Sequence, residues 1–224
     1  MNNLGARLRD VRIKSGLSVR ALARQVNVSP SFVSQIENGK SQPSVATLYS
    51  FAQLLNVSVD ELFDERIEAR DLGIVNGHSG SLNSARLPTA QPPDHPTHNP
   101  SAVWQPSEYA NRVSVVHPTH RSRIDMAAGV IWERLAAAPE HGVNFMEIVY
   151  TPGASSTDTG GRSQHLGYEY GFVLAGILEV TIGEEIFNLH SGDSLGFDSE
   201  IPHTFHNPGA EMMRGVWFVH GASH

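Results

Sequence analysis

The chain has 224 residues, 16 Lys and Arg against 23 Asp and Glu, and a formal net charge of −7; that is length enough for two domains, each with its own core. It contains no cysteine, which excludes disulfides, thiolate metal sites and thiol nucleophiles. The acidic balance excludes a protein that coats nucleic acid over its whole surface, and the lack of a signal peptide or of an apolar run near the ~20 residues of a membrane span leads us to expect a cytoplasmic protein with no membrane partner.

Charge is uneven along the chain. Up to Phe63, seven basic residues (Arg7, Arg9, Arg12, Lys14, Arg20, Arg24, Lys40) stand against four acids (Asp10, Glu37, Asp60, Glu61), and the remainder is strongly acidic. A small basic domain joined to a larger acidic one suits a polyanionic partner at one end only.

In the first sixty residues apolar positions recur at spacings of three and four: Leu4, Leu8, Val11; Leu22, Val26; Val33, Ile36; Leu48, Phe51, Ala52, Leu55. This periodicity predicts short amphipathic helices. Gly16 ends the first and Ser18 caps the second, while Ser29 followed by Pro30 reads as N-cap and first turn of a third. Gly39 closes the third, Ser44 caps a fourth, and Ser58 with Glu61 forms a capping box for a fifth. The expected architecture is an all-α bundle of five short helices.

The charged run after Phe63 is expected to prolong the last helix, so that residues 1–72 make the first domain. Residues 73–111 hold a cluster of prolines among Ser, Thr, Asn and His. Such a stretch cannot bury enough apolar surface to offset its ordering entropy, and a flexible linker is expected. Trp104 and Tyr109 near its end are candidates to dock on the next domain, and His95 and His98 are expected to be solvated.

From residue 112 to 224 the pattern changes to short apolar runs broken by Gly, Pro, Asp and Asn. The runs are Val113 to Val116, Gly129 to Leu135, Phe145 to Tyr150, Tyr170 to Leu174, Leu178 to Ile182, Ile186 to Leu189, Ser194 to Phe197 and Gly215 to Val219. They predict an all-β antiparallel sandwich or barrel.

In a helix-turn-helix the second helix braces a recognition helix whose N-terminal half enters the major groove. Here Ala21, Leu22 and Val26 brace, Val28 fills the turn, and Val33 and Ile36 pin the third helix inward. That leaves Ser29, Pro30, Ser31, Ser34 and Gln35 facing out, short polar groups plus one amide able to pair bidentately with adenine. Phe32 is either core or a contact to a thymine methyl. Arg7, Arg12, Arg20 and Arg24 read equally as a solvated basic face. The run from Gly16 to Lys40, with Ile36-Glu37-Asn38-Gly39 its most specific part, resembles the Cro/C1-type, or XRE, helix-turn-helix family over residues 4 to 63. The resemblance implies that Ser29 to Gln35 read bases and that Asn38 and Lys40 approach phosphates. Val19 stands where many members carry glutamine, so that contact is missing.

In the second domain His165, Glu169 and His203 form the ligand set of a 2-His-1-carboxylate site, which holds a divalent metal and leaves positions open. In a strand, a spacing of four places His165 and Glu169 on one face. Gln164 to Gly176 and Gly192 to Asn207 are similar to the two motifs of the cupin barrel, a jelly roll. Two departures stand out: Ser163 occupies the place of the first histidine, and Asp198 and Glu200 replace a Pro and a Gly. Three ligands remain, with Fe, Zn, Mn or Ni as candidate metals. The competing reading is structural: His203 hydrogen-bonded at the barrel mouth, Glu169 paired with Arg162 or a backbone amide, and His206 on the opposite face. An eight-stranded barrel is also expected to enclose room for one small ligand.

Two functions follow. The first is a sequence-specific DNA-binding transcriptional regulator: a homodimer on a pseudo-palindromic double-stranded operator, with a cupin domain that senses a small-molecule effector and no catalytic residues. The whole chain resembles the bacterial XRE-cupin regulators. The alternative is a mononuclear non-haem iron enzyme resembling hydroxypropylphosphonate epoxidase, which joins the same two fold types; Arg162 is the one basic residue near the first motif.

Overall fold

The computed structural model describes residues 4–63, 115–136, 143–157 and 161–221. The expected linker at 73–111, with His95, His98, Trp104 and Tyr109, lies outside the described residues, as do the expected boundary at 72 and Val113.

The N-terminal part is helical: α1 Leu4–Lys14, α2 Val19–Gln25, α3 Pro30–Glu37, α4 Val45–Leu55 and α5 Val59–Phe63, the last little more than a turn. The caps expected from the sequence start these helices. Ser18, Ser29 and Ser44 accept the amides of Ala21, Phe32 and Thr47 at 3.1, 3.0 and 3.3 Å. Ser58 and Glu61 cap reciprocally at 3.1 and 3.2 Å, which satisfies donors that a helix start would otherwise leave open. Leu8, Leu22, Val33, Leu48 and Phe51 are fully enclosed between the helices.

Arg12 departs from the basic face expected of it. It is buried at the α1–α3 contact, where its guanidinium grips Glu37 and donates to the Leu17 carbonyl at 2.8 Å. Its place next to Val11 sets it at the edge of the apolar stripe, within reach of the neighbouring helix. Arg7 likewise donates to the Glu61 carbonyl at 2.9 Å. Arg20 and Arg24 remain exposed.

The C-terminal part is antiparallel β throughout. Its strands are β1 Arg123–Asp125, β2 Val130–Arg134, β3 Val143–Tyr150, β4 Tyr168–Ala175, β5 Ile177–Ile182, β6 Glu185–His190, β7 Ser194–Asp198, β8 His203–His206 and β9 Met213–His220. They form a six-stranded sheet in the order β1-β2-β3-β9-β4-β7 and a three-stranded sheet in the order β6-β5-β8. The expected runs became strands except the first, since Val115 and Val116 lie in no strand. Strands β1 and β8, Arg-Ile-Asp and His-Thr-Phe-His, have no apolar run to announce them.

Alternation positions the site. On β4 the buried residues are Glu169, Gly171 and Val173, while Tyr170, Phe172 and Leu174 face outward. On β9 Met213, Gly215, Trp217 and Val219 point in, and Gly171 pairs with Trp217. Asn207, fully buried, donates to the Tyr150 and Glu211 carbonyls at 2.9 and 2.8 Å and accepts from the Gly209 amide at 2.9 Å. It clasps the turn after β8 to the end of β3.

Bundle and barrel belong to one compact unit. The Ala46 amide donates to the Ser156 carbonyl at 3.2 Å, and the Ala127 amide to the Pro43 carbonyl at 3.0 Å. Between these bonds Val45 and Tyr49 of α4 are buried, and the Tyr49 ring meets the Trp132 ring edge to face with centroids 5.8 Å apart.

Candidate functional site

Glu169, His165 and His203 converge inside the barrel, each no more than 5% exposed. Their potential ligand atoms lie within 4.8 Å of one another. Glu169 comes from β4 and His203 from the start of β8, but His165 precedes β4 and lies in no strand. Strand periodicity therefore does not bring His165 to Glu169, contrary to expectation. The chain turns at Gly167, whose φ of +116° an L side chain rarely adopts, and that turn folds the imidazole back over the carboxylate. Asp198 takes over the turn chemistry of the missing Pro and Gly: its Oδ1 accepts the Glu200 amide at 2.9 Å ahead of Pro202 and His203.

The geometry assigns a role to each atom. Glu169 Oε2 accepts the indole N–H of Trp217 at 2.8 Å. Its Oε1 faces the Nε2 atoms of His165 and His203, at 2.9 and 3.3 Å. The Nδ1 atoms of the same rings meet the carbonyls of Leu166 and Ile201, at 3.2 and 2.8 Å. A carbonyl can only accept, so each Nδ1 carries the hydrogen and each Nε2 of a neutral ring offers a lone pair. Two imidazole lone pairs and a carboxylate oxygen aimed at one point repel unless protons on the rings or a metal cation lie among them. Backbone carbonyls holding the distal nitrogens are the usual second shell of metal-binding histidines.

Burial by itself raises the Glu169 carboxyl; in the metal-free site, hydrogen bonds and charge from His165 and His203, with a proton on the Nε2 atoms that face it, outweigh burial and hold the group down at about 2. Burial, then the charge of Glu169, push the Tyr150 phenol above its usual value, so it stays a neutral donor. Tyr150, Ser163, Glu169 and His203 line a cavity of about 10 Å³, closed on one side by Val45 and Tyr49 of α4. Tyr150 Oη, Ser163 Oγ and His165 Nε2 are buried with no hydrogen-bond partner. Buried polar atoms left open around a space the size of one water fit a single ion or water. Among the described residues the cavity inside the barrel leaves less room than an organic ligand was expected to need, because Trp132, Met146, Phe205 and Trp217 crowd its lining. Arg162 does not reach Glu169. It donates to the Gly183 carbonyl and pairs with Glu184. His206 lies off the site, its Nδ1 3.1 Å from the Ala154 carbonyl.

Three residues of the site escaped sequence reasoning. Tyr150 and Trp217 read as ordinary strand aromatics, and only the register of β3 and β9 turns them toward Glu169. Tyr49 sits in a helix whose apolar stripe was already accounted for. Its ring lies flat on His165, centroids 3.9 Å apart and planes at 9°.

In the helical domain Ser29, Pro30 and Ser31 are exposed at the start of α3, Gln35 is exposed in its C-terminal half, and Ser34 is half-buried. The Ser29 hydroxyl already caps the helix. Asn38, also exposed, donates its amide to the Ser34 carbonyl at 2.7 Å and so closes the helix end; Lys40 extends beyond it.

A helix-turn-helix bundle joined to a cupin barrel, together with the relatives that follow, marks a DNA-binding transcriptional regulator. The family profile described as helix-turn-helix matches residues 8–62, and the one described as cupin domain matches residues 146–219. The HTH-type transcriptional regulator PuuR of Escherichia coli (strain K12) is 26% identical over 212 residues, 94% of this chain and 90% of its own. The Bacillus subtilis regulator SinR is 36% identical over 66 residues, 29% of this chain and 60% of its own. A solved helix-turn-helix transcriptional regulator from Vibrio cholerae has the same fold, with a TM-score of 0.57 at 22% identity over 98% of this chain and 95% of its own. The hydroxypropylphosphonic acid epoxidase of S. wedmorenis gives a TM-score of 0.42 at 17% identity, covering 97% of each chain. The chain is an XRE-type helix-turn-helix regulator with a C-terminal cupin domain.

Proposed function

We propose that the barrel governs DNA binding by the bundle in response to a small-molecule effector, and that His165, Glu169 and His203 hold a divalent metal as part of that sensor. The observation that carries the metal reading is the convergence of three acceptor atoms with both imidazole Nδ1 hydrogens committed to carbonyls. Such a metal would supply a Lewis-acidic anchor with open positions for an oxygen or nitrogen donor. Metal analysis of full-length protein purified without chelator tests it. About one equivalent is expected in wild type and far less in His165→Ala and Glu169→Ala; equal content in all three refutes the reading.

On the DNA side Ser31, Ser34 and Gln35, with Ser29 and Pro30 at the entry, are the base-reading positions, and Asn38 and Lys40 the phosphate contacts. One such helix covers half an operator. A homodimer in the cytoplasm places two of them about 34 Å apart on a pseudo-palindromic site. Phe145, Phe218, Tyr170, Phe172 and Leu174, adjacent on the outward face of β3, β9 and β4 and each more than a third exposed, suit a contact with the same face of a second copy. Sedimentation of the full chain as a monomer at micromolar concentration refutes the dimer.

The iron-enzyme reading rests on the same trio. The cavity lining holds no Lys or Arg among the described residues, and Arg162 is spent elsewhere, so nothing there clamps an anionic substrate. This favours sensing over turnover.

A further inference from the structure

The cavity beside Glu169 and a larger cleft outside share one wall. The cleft, about 160 Å³, is built by Gln53, Asn56, Ser58 and Glu61 of the helical domain together with His165 and Leu166 of the barrel. Tyr49 borders both spaces. Its ring, 7% exposed, is wedged between the flat face of His165 and the edge of Trp132. The inner space of about 10 Å³ admits an ion or a water and nothing larger. Among the described residues the cleft is the outer space that meets the trio, at His165, so a ligand with several donor atoms entering from it reaches the trio after Tyr49 leaves His165.

Tyr49 is not a loop residue free to turn aside. It belongs to α4, which is pinned to the barrel by the Ala46–Ser156 and Ala127–Pro43 backbone bonds and by buried Val45. With its face on His165 and Trp132 against it at an angle, the ring is held from two sides, and the coupling proposed below has it clear His165 by moving with its helix. Helix α4 contributes Leu48 and Phe51 to the same buried core to which α3 contributes Val33 and Ile36.

We propose that Tyr49 is the gate of the barrel site and the residue that couples it to the DNA-binding bundle. The bundle itself closes the site, and a chelating small molecule entering from the cleft to bind the metal releases α4 from the barrel. The inference rests on the metal reading above. By linkage, whatever lowers the stability of the docked bundle raises ligand affinity by the same factor.

The test uses full-length protein loaded with zinc, with acetohydroxamate, a small bidentate oxygen ligand, as the probe. The chain has no cysteine, so Ile13→Cys in α1 and Ile186→Cys in β6, both well exposed, take a pair of spin labels without background. Acetohydroxamate is expected to bind the zinc form and shift the label-to-label distance distribution to longer, broader values. Tyr49→Ala is expected to bind it about tenfold more tightly, an ordinary size for coupling between sites. Acetohydroxamate bound by wild type with an unchanged distance distribution overturns the proposal, as does equal affinity in wild type and Tyr49→Ala. Failure of wild type to bind zinc at all overturns the metal reading and the coupling with it, so the two failures are told apart by the zinc titration alone.

Discussion

Arg12 and Glu37 form a two-pronged ion pair between the first and third helices, Nε to Oε1 at 2.5 Å and Nη2 to Oε2 at 2.9 Å, with side chains only 10% and 6% exposed. Glu37 is the last residue of the helix that presents Gln35, so the pair fixes how that helix is seated. The hydrogen bond to Glu37 also keeps the guanidinium more firmly protonated than usual.

Removing one partner of a buried pair strands the other charge. Arg12→Ala is expected to cost about 3 kcal/mol of stability, read by urea denaturation of the full chain, and to weaken operator binding through loss of the bundle rather than of a DNA contact. A stability change within error of zero contradicts the assignment.

For base reading, Gln35→Ala is expected to relax preference at a single operator position at a cost of about 1 to 3 kcal/mol. Lys40→Ala is expected to weaken all sequences alike and to lower the salt-dependence slope by about one. Gel shifts against operator variants at several salt concentrations separate the two; a sequence-dependent effect of Lys40→Ala argues against a phosphate role.

Gly171 owes its identity to Trp217. A Cβ at residue 171 would lie 2.2 to 2.5 Å from the atoms of the indole six-membered ring, and that indole holds Glu169. Gly171→Ala is expected to cost roughly 1 to 3 kcal/mol by overpacking. Trp217→Phe is expected to lower zinc affinity by about 10- to 100-fold. Denaturation and calorimetric zinc titration measure these; zinc affinity unchanged in Trp217→Phe shows that the indole does not orient the carboxylate.

Acid stability is expected to depend on Glu169. Its folded-state carboxyl titrates at about 2 against an ordinary 4.5. A depressed carboxylate contributes stability that is fully present above the ordinary value and is lost as pH falls toward the folded one. Metal-free wild type should therefore lose stability more steeply than Glu169→Gln below about pH 4.5. Parallel denaturation curves for the two proteins refute this.

Local chemistry determined much of this protein. Ser18, Ser29, Ser44 and the Ser58–Glu61 pair start their helices because a cap is an interaction among residues three apart, and the apolar spacing of Leu8, Leu22, Val33, Leu48 and Phe51 specifies one face per helix. The strand runs were legible for the same reason, and His165, Glu169 and His203 were legible by residue type and motif likeness, although the turn at Gly167 rather than strand alternation places His165. The tertiary structure decided what depends on partners distant in the chain. It buried Arg12 against Glu37, brought Tyr150 and Trp217 to Glu169 through strand register, and filled the barrel so that space remains for an ion rather than an organic ligand. Above all it laid Tyr49 of the helical domain on His165 of the barrel. No periodicity encodes a contact between residues more than a hundred positions apart, because only the packed core sets which surfaces meet.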